Sequence, residues 1–291
     1  MRPIIELNSF SAVAAGQTAN LVLDKNVKYD QIYLQVADVA DIEWIKLRLN
    51  TSDILPSLTP SEISAINYRK GNVPKNQSGS YIALPMQMLD AVLADSQRVT
   101  GLPVGDTDDC ILQVKLKSDA TAPTLSAFAE VSPFTGSRGV VRLFERYTVP
   151  ASSAGLVNWT NLERGSRVAR MYFSGPTIEH VTIKRDMTEI WDLGKDQTRM
   201  IHGVYGADCT VDDAAGFSYV FDAMREGFPI KDSLVTSNGN IKVDITVAAA
   251  GTIDVLVERL TTQFATTWTA ATTAAAASAA GKSKRKVGRA A

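Results

Sequence analysis

The side chains able to do chemistry are few and scattered. Histidine occurs twice, as His180 and His202, and a hydrolase triad or a metal enzyme usually relies on an imidazole held beside a nucleophile or a carboxylate. No Ser or Cys motif frames either one. His180 stands in an alternating run, where a structural place on a sheet face is the plain reading. His202 stands in a short helical stretch, where the plain reading is a packing or solvated imidazole. Cys110 and Cys209 are the only cysteines, too few for a disulfide framework or a four-ligand zinc site, so they read as ordinary thiols in a reducing compartment.

Two acidic clusters offer oxygen ligands. "DTDD" at 106–109 and "DD" at 212–213 carry carboxylates of the type that calcium gathers in sets of about six to eight. Neither cluster has the spacing, glycine or closing glutamate of an EF-hand. Asp106, Asp108, Asp109, Asp212 and Asp213 therefore read first as solvated loop charges, with a Ca2+ ion bridging at a loop or interface as the alternative. "AAGKS" at 279–283 imitates the end of a phosphate-binding loop, but Ala276 holds the place of its opening glycine and no strand precedes it. No catalytic or cofactor-binding residue is nominated, and the chain reads as neither an enzyme nor a small-molecule binder.

Charge is balanced overall and uneven along the chain. Thirty basic residues meet 31 acidic ones in 291 residues, a net charge of −1, so no whole-protein attraction to nucleic acid or anionic lipid exists. The hydrophobic fraction of 45% is that of a globular protein. No stretch reaches the roughly 18 apolar residues of a membrane span, and the opening "MRPIIELNSF" lacks the apolar core of an export signal. From Thr261 the composition turns to Ala and Thr and then to Lys282, Lys284, Arg285, Lys286 and Arg289. This stretch has too few large side chains to build a core. It reads as a solubilising end or as a contact for phosphate on lipid headgroups or nucleic acid, each cation contributing on the order of 1 kcal/mol near an anionic surface. Phe264 and Trp268 would anchor it at a membrane interface or pack on the preceding domain.

What must position these residues is written twice. "IEWIKLRLNTSDI" from Ile42 and "IEHVTIKRDMTEI" from Ile178 share three identities and six conservative pairs in thirteen positions, at an offset of 136. Each is followed by a short helical stretch, "LTPSEISAINYRKG" and "KDQTRMIHGVYG". In the first, Thr59 is placed to cap, Pro60 to open the helix and Glu62 to close a capping box. "SYIALPM" and "SYVFDAM" repeat next, and each half closes on a strand, turn and strand, with Val114 and Leu116 answering Val243 and Ile245. Four matches in one order, at offsets between 129 and 138, point to a domain duplication.

Each unit holds seven or eight short alternating runs and little helical period, which disfavours parallel βαβ winding and leaves an antiparallel sandwich. A closing hairpin after a long excursion suits jelly-roll order. The expectation is all-β: two consecutive eight-stranded jelly rolls at 1–135 and 136–260, joined near "SPFTGSRG", and a basic tail at 261–291. In "DIEWIKLRLN" strict alternation puts Ile42, Trp44 and Lys46 on one face and Ile45, Leu47 and Leu49 on the other.

"LNSFSAVAAGQTANLVL" near the start, "APTLSAFAEV", "RLFERY" and "IDVLVERL" resemble the major capsid proteins of the corticoviruses, tailless icosahedral phages with an internal membrane. The resemblance runs from about Ile5 to Leu260, over framework strands, and implies two upright jelly rolls per chain assembled as a homotrimer. Three chains of two similar rolls would make a pseudo-hexameric capsomer able to tile a shell. It further implies neighbouring capsomers, penton and minor membrane proteins as partners, an internal lipid membrane beneath, a place in the virion capsid after assembly in the host cytoplasm, and calcium as a lattice stabiliser with no ligand residue carried over. The alternative is a receptor- or carbohydrate-binding double sandwich. Loop aromatics would favour that, whereas aromatics make up 7% of the chain and Tyr33, Trp44 and Tyr172 fall in strand runs. A cupin-like enzyme would need more histidine than two separated domains supply.

Overall fold

The computed structural model describes residues 3–70, 80–134, 139–237 and 239–262. The first half contributes β1 (Ile4–Glu6), β2 (Thr18–Val22), β3 (Val27–Val36), β4 (Ile42–Leu49), β5 (Ser52–Leu58), α1 (Pro60–Tyr68), β6 (Tyr81–Leu84), α2 (Ala94–Val99), β7 (Leu102–Val104), β8 (Cys110–Leu116) and β9 (Leu125–Pro133). The second contributes β10 (Val141–Ala151), β11 (Gly155–Trp159), β12 (Arg167–Ser174), β13 (Ile178–Arg185), β14 (Thr188–Gly194), α3 (Lys195–Val204), α4 (Thr210–Ala214), β15 (Phe217–Asp222), α5 (Pro229–Asp232), β16 (Leu234–Val235), β17 (Ile241–Val247) and β18 (Gly251–Thr261).

The two halves have the same wiring. β1-β9-β3-β6 and β2-β8-β4-β5 are the sheets of the first, and β10-β18-β12-β15 and β11-β17-β13-β14 those of the second, all antiparallel. Each strand of the first half has its counterpart nine strands later. The fold is the expected double jelly roll, and each half adds one short strand to the expected eight: β7 beside β3, and β16 beside β12.

The opening repeat turns out to encode irregularities as well as strands. Register slips between Ile42 and Trp44 against β8, and between Ile178 and His180 against β17. These are paired β-bulges, each centred on the glutamate of an identical Ile-Glu pair. A bulge moves the residue before it to the other face. Ile42 is accordingly buried with Ile45, Leu47 and Leu49 instead of sharing the opposite face with Trp44 and Lys46, as strict alternation had it. At the hairpin tips Asn50 and Asp186 both take left-handed backbone, φ 56 and 55, a conformation their short polar side chains tolerate. Each then makes the same reciprocal clip. The Asn50 N–H donates to the Asp109 carbonyl at 2.7 Å and the Asp109 N–H to Asn50 Oδ1 at 2.9 Å; Asp186 and Asn240 repeat this at 2.8 and 2.9 Å.

The helix caps follow the sequence. Thr59 Oγ1 accepts from the Glu62 N–H at 3.3 Å while Glu62 Oε2 accepts from the Thr59 N–H at 2.8 Å, with Pro60 at the first position. In α3 the same corner is closed by Gln197, whose Oε1 accepts from the Gly194 N–H at 2.9 Å.

The cores are less separate than a simple duplication would make them. Met171, Phe173, Ile253, Val255 and Val257 fill the second roll from its β10-β18-β12-β15 sheet. The opposite face of that sheet sends Phe144, Tyr172, Val220 and Leu256 into the cluster of the first roll. β12 is therefore buried from Val168 to Phe173 on both faces.

Candidate functional site

Where the second roll's sheet meets the first roll, its apolar run is broken by charges. Arg170 on β12, Asp222 on β15, Glu258 on β18 and Arg142 on β10 sit in the contact, each no more than 4% exposed. The first roll answers with Arg69 at the C-terminus of α1, its neighbour Lys70, and Asp90 in the loop after β6.

The bonds cross the contact repeatedly. Arg170 pairs with Asp90 of the first roll through Nη2, with Asp222 at 3.1 Å through Nε and with Glu258 at 3.3 Å through Nη1. Arg142 Nε meets the other oxygen of Glu258 at 2.8 Å, and its Nη1 donates to the carbonyls of Pro85 and Gln87 at 3.1 and 2.8 Å. Arg69 reaches in the opposite sense, to Asp212 of α4, to Asp222 at 3.8 Å, and to Nδ1 of His202 at 2.5 Å. Lys70 Nζ donates to the carbonyls of Met224 and Arg225 at 3.0 and 2.7 Å. At the rim Arg146 binds Glu62 at 2.8 Å. Four cations, Arg69, Lys70, Arg142 and Arg170, thus face four carboxylates, Asp90, Asp212, Asp222 and Glu258.

Burial alone would raise the Asp222 carboxyl, but Arg170, Arg69 and Lys70 outweigh it and hold the pKa at about 2. Burial also discourages charge on Arg170, and Asp222, Asp90 and Glu258 overcome it, so the guanidinium stays protonated. At His202 the pull of Asp222 is outweighed. Burial, and then the adjacent Arg69, depress it to about 3, so it is a neutral imidazole whose Nδ1 accepts from Arg69 Nη2. Trp191 stacks on it with centroids 6.1 Å apart. Burial, and then Glu258, push the Tyr172 phenol far up, so its hydroxyl stays a donor to Glu258 at 3.3 Å.

The side chains singled out by sequence are distributed around this seam, not gathered into one site. His202 belongs to it, packed and not solvated. His180 stays on its sheet face, with Nε2 2.8 Å from Asp192. Asp212 is bound to Arg69 and buried in the seam, not the solvated loop charge expected, while Asp213 stays exposed on α4, held by Arg199 at 3.0 and 2.5 Å. Asp108 is buried, accepting from the Gly105 N–H at 2.7 Å and from Asn50 Nδ2 at 3.0 Å. Asp109 belongs to the Asn50 clip, and Asp106 is exposed. Among the described residues no three His, Cys, Asp or Glu side chains gather closely enough to hold a metal ion. Cys110 and Cys209 are not joined in a disulfide, and burial pushes the Cys209 thiol up. Lys282, Lys284, Arg285, Lys286, Arg289, Phe264, Trp268 and the "AAGKS" run lie outside the described residues.

Sequence reasoning missed Arg69, Asp90, Arg142, Arg170, Asp222 and Glu258. A signal existed for three of them: Arg170 in "RVARMYFS", Asp222 in "SYVFDAM" and Glu258 in "DVLVERL" are charges set inside apolar strand runs, where an unpaired charge would be costly. The charges of the seam are paired with one another. What it can do is fix geometry, because directional ion pairs select one placement of two surfaces that apolar packing alone would let slide.

Solved structures share the fold. The chain superposes on the major capsid protein P2 from bacteriophage PM2 with a TM-score of 0.79, at 21% identity, over 90% of this chain and 97% of that one. A structure from Sulfolobus Turreted Icosahedral Virus gives 0.64 at 11% identity, covering 89% and 90%, and the PBCV-1 virus capsid gives 0.54 at 8%, covering 90% and 94%. No curated protein sequence matches the chain. Two sandwiches of the same wiring in one polypeptide are the double jelly-roll fold that these structures share. The family models for the N-terminal and C-terminal domains of viral coat protein P2 match residues 4–132 and 141–263, and the chain belongs to that family.

Proposed function

We propose that this capsid protein acts as a homotrimeric capsomer, in which two rolls from each of three chains form a pseudo-hexameric block of an icosahedral shell. The observation that carries this reading is the seam. It joins two equivalent sandwiches in one fixed relation, and a building block that must present six similar columns around a threefold axis needs that relation to be rigid. Residues 1–135 and 136–260 are its two columns and 261–291 its tail, β18 reaching one residue past the second division. Neighbouring capsomers, penton and minor membrane proteins are its partners in the shell, assembled in the host cytoplasm.

The tail is proposed to face a lipid membrane inside the shell. The pairing of Ile4 with Glu130, Val27 with Pro133, and Val141 with Thr261 supports this. These pairs bring the first strand, the passage between the halves and the departure of the tail to one end of the molecule, where its five cations would act together. Light scattering on the purified protein is expected to give the mass of three 31.4 kDa chains. Removing residues 263–291 should leave that mass scaled to the shorter chain and abolish sedimentation with phosphatidylglycerol-containing vesicles. A strict monomer rules out the capsomer, and undiminished vesicle binding by the shortened chain rules out the role of the tail.

A further inference from the structure

The duplication allows the two rolls to be compared position by position, and one helix face is covered in one roll and bare in the other. Thr59 and Gly194 hold equivalent places before α1 and α3. Counting from them, Ala65 corresponds to Met200 and Arg69 to Val204. Ala65 and Arg69 are 0% and 2% exposed, whereas Met200 and Val204 are each 74% exposed. The difference has a visible cause. On α1 this face is covered by the second roll: Asp212 of α4 binds the Arg69 guanidinium, the Asp208 N–H donates to the Arg69 carbonyl at 2.6 Å, and Val211 and Ala215 pack on the cluster containing Ala65. Among the described residues nothing plays that part on α3. Tyr205, 41% exposed, extends the bare face, and Arg225 lies over its ring at 5.8 Å.

We infer that this face of α3, Met200 with Val204 and Tyr205, is the surface on which the second roll of one chain receives the first roll of a second copy. The inference rests on the capsomer reading. In a ring of six similar rolls, first-to-second contacts within chains alternate with second-to-first contacts between them, and the two contact types use equivalent surfaces. α1 shows the first type already made. α3 carries the second type waiting for its partner, with apolar side chains where α1 has an arginine. Two exposed aliphatic side chains four residues apart, flanked by a tyrosine and an arginine, have the composition of an interface centre. The change from Arg69 to Val204 also fits the two kinds of contact, since an ionic contact aligns rolls already tethered and an apolar one supplies association between free chains.

The test is a full-length chain carrying Met200→Asp and Val204→Asp, sized by light scattering and unfolded in urea beside the wild type. The expected result is a trimeric wild type and a variant at least tenfold weaker in association, with the same monomer fold by circular dichroism. Leu156→Asp, at a residue 63% exposed on β11, should leave the trimer intact. A double variant that remains as trimeric as the wild type overturns the inference while leaving the capsomer reading in place. A monomeric wild type overturns both. Should the double variant fail to fold, Met200→Cys decides: peptide-resolved labelling must find the new thiol protected in the trimer and open in diluted monomer, and equal labelling in the two overturns the proposal.

Discussion

Replacing Arg170 by Met is expected to cost about 3–5 kcal/mol of unfolding free energy, the range typical of removing one partner from a buried ionic group. Methionine keeps much of the side-chain volume, so the loss falls on electrostatics. Asp90 loses its seam partner, and Asp222 and Glu258, both fully buried, each lose one of two arginines. The free energy of folding of a typical domain is only about 5–15 kcal/mol, so this one change removes a large share of it. The half-exposed pair of Lys46 with Asp53 at 2.8 Å provides the contrast, and Lys46→Ala should cost about 1 kcal/mol at most. Urea unfolding of both variants measures the difference. An Arg170→Met protein within about 1 kcal/mol of wild type would mean that the seam is a wet contact and fixes nothing.

Acid should undo the same contact. His202 is held at about 3 in the folded chain against about 6.5 when unfolded. Between those values the unfolded state binds the extra proton, so the contribution of His202 is complete above pH 6.5 and is lost as pH falls towards 3. The slope is about 1.4 kcal/mol per pH unit, and the total loss is of order 4–5 kcal/mol. Asp222 adds a second loss lower down, its contribution complete above about pH 4 and removed as pH falls through about 2. Burial raises Asp212 and Glu145, which act with the opposite sign, favouring the fold in acid and losing that effect as pH rises. His202→Gln keeps a neutral hydrogen-bonding side chain and isolates the histidine term. The urea midpoint of the wild type should drop steeply from pH 6.5 to 4, and that of His202→Gln should drop far less. Parallel curves for the two proteins would remove His202 from the account.

Much of the framework was open to reading because it is local. The strand alternation of Ile45, Leu47 and Leu49, the Thr59-Pro60-Glu62 cap and the order of four repeated segments each depend on residues a few positions apart. The paired bulges were less accessible. A bulge is a relation between two strands, so nothing within the run marked Glu43 or Glu179 as the extra residue, and Ile42 was assigned to the wrong face. The seam was out of reach for the same reason on a larger scale. Arg69 lies 143 residues from Asp212, and Arg170 lies 80 from Asp90, and no short motif binds such partners. Asp212 looked like a loop carboxylate because its guanidinium belongs to the other half of the chain. The difference between α1 and α3 emerged only once both helices could be seen against their neighbours.

The most direct test of the whole account is the view of the purified particle down its symmetry axis by single-particle electron microscopy. Class averages should show a closed ring of six lobes that repeat as three alternating pairs, one pair per chain. A two-lobed object, or a ring whose lobes cannot be assigned in pairs to three chains, would contradict the claim that this duplicated fold builds a pseudo-hexameric capsomer.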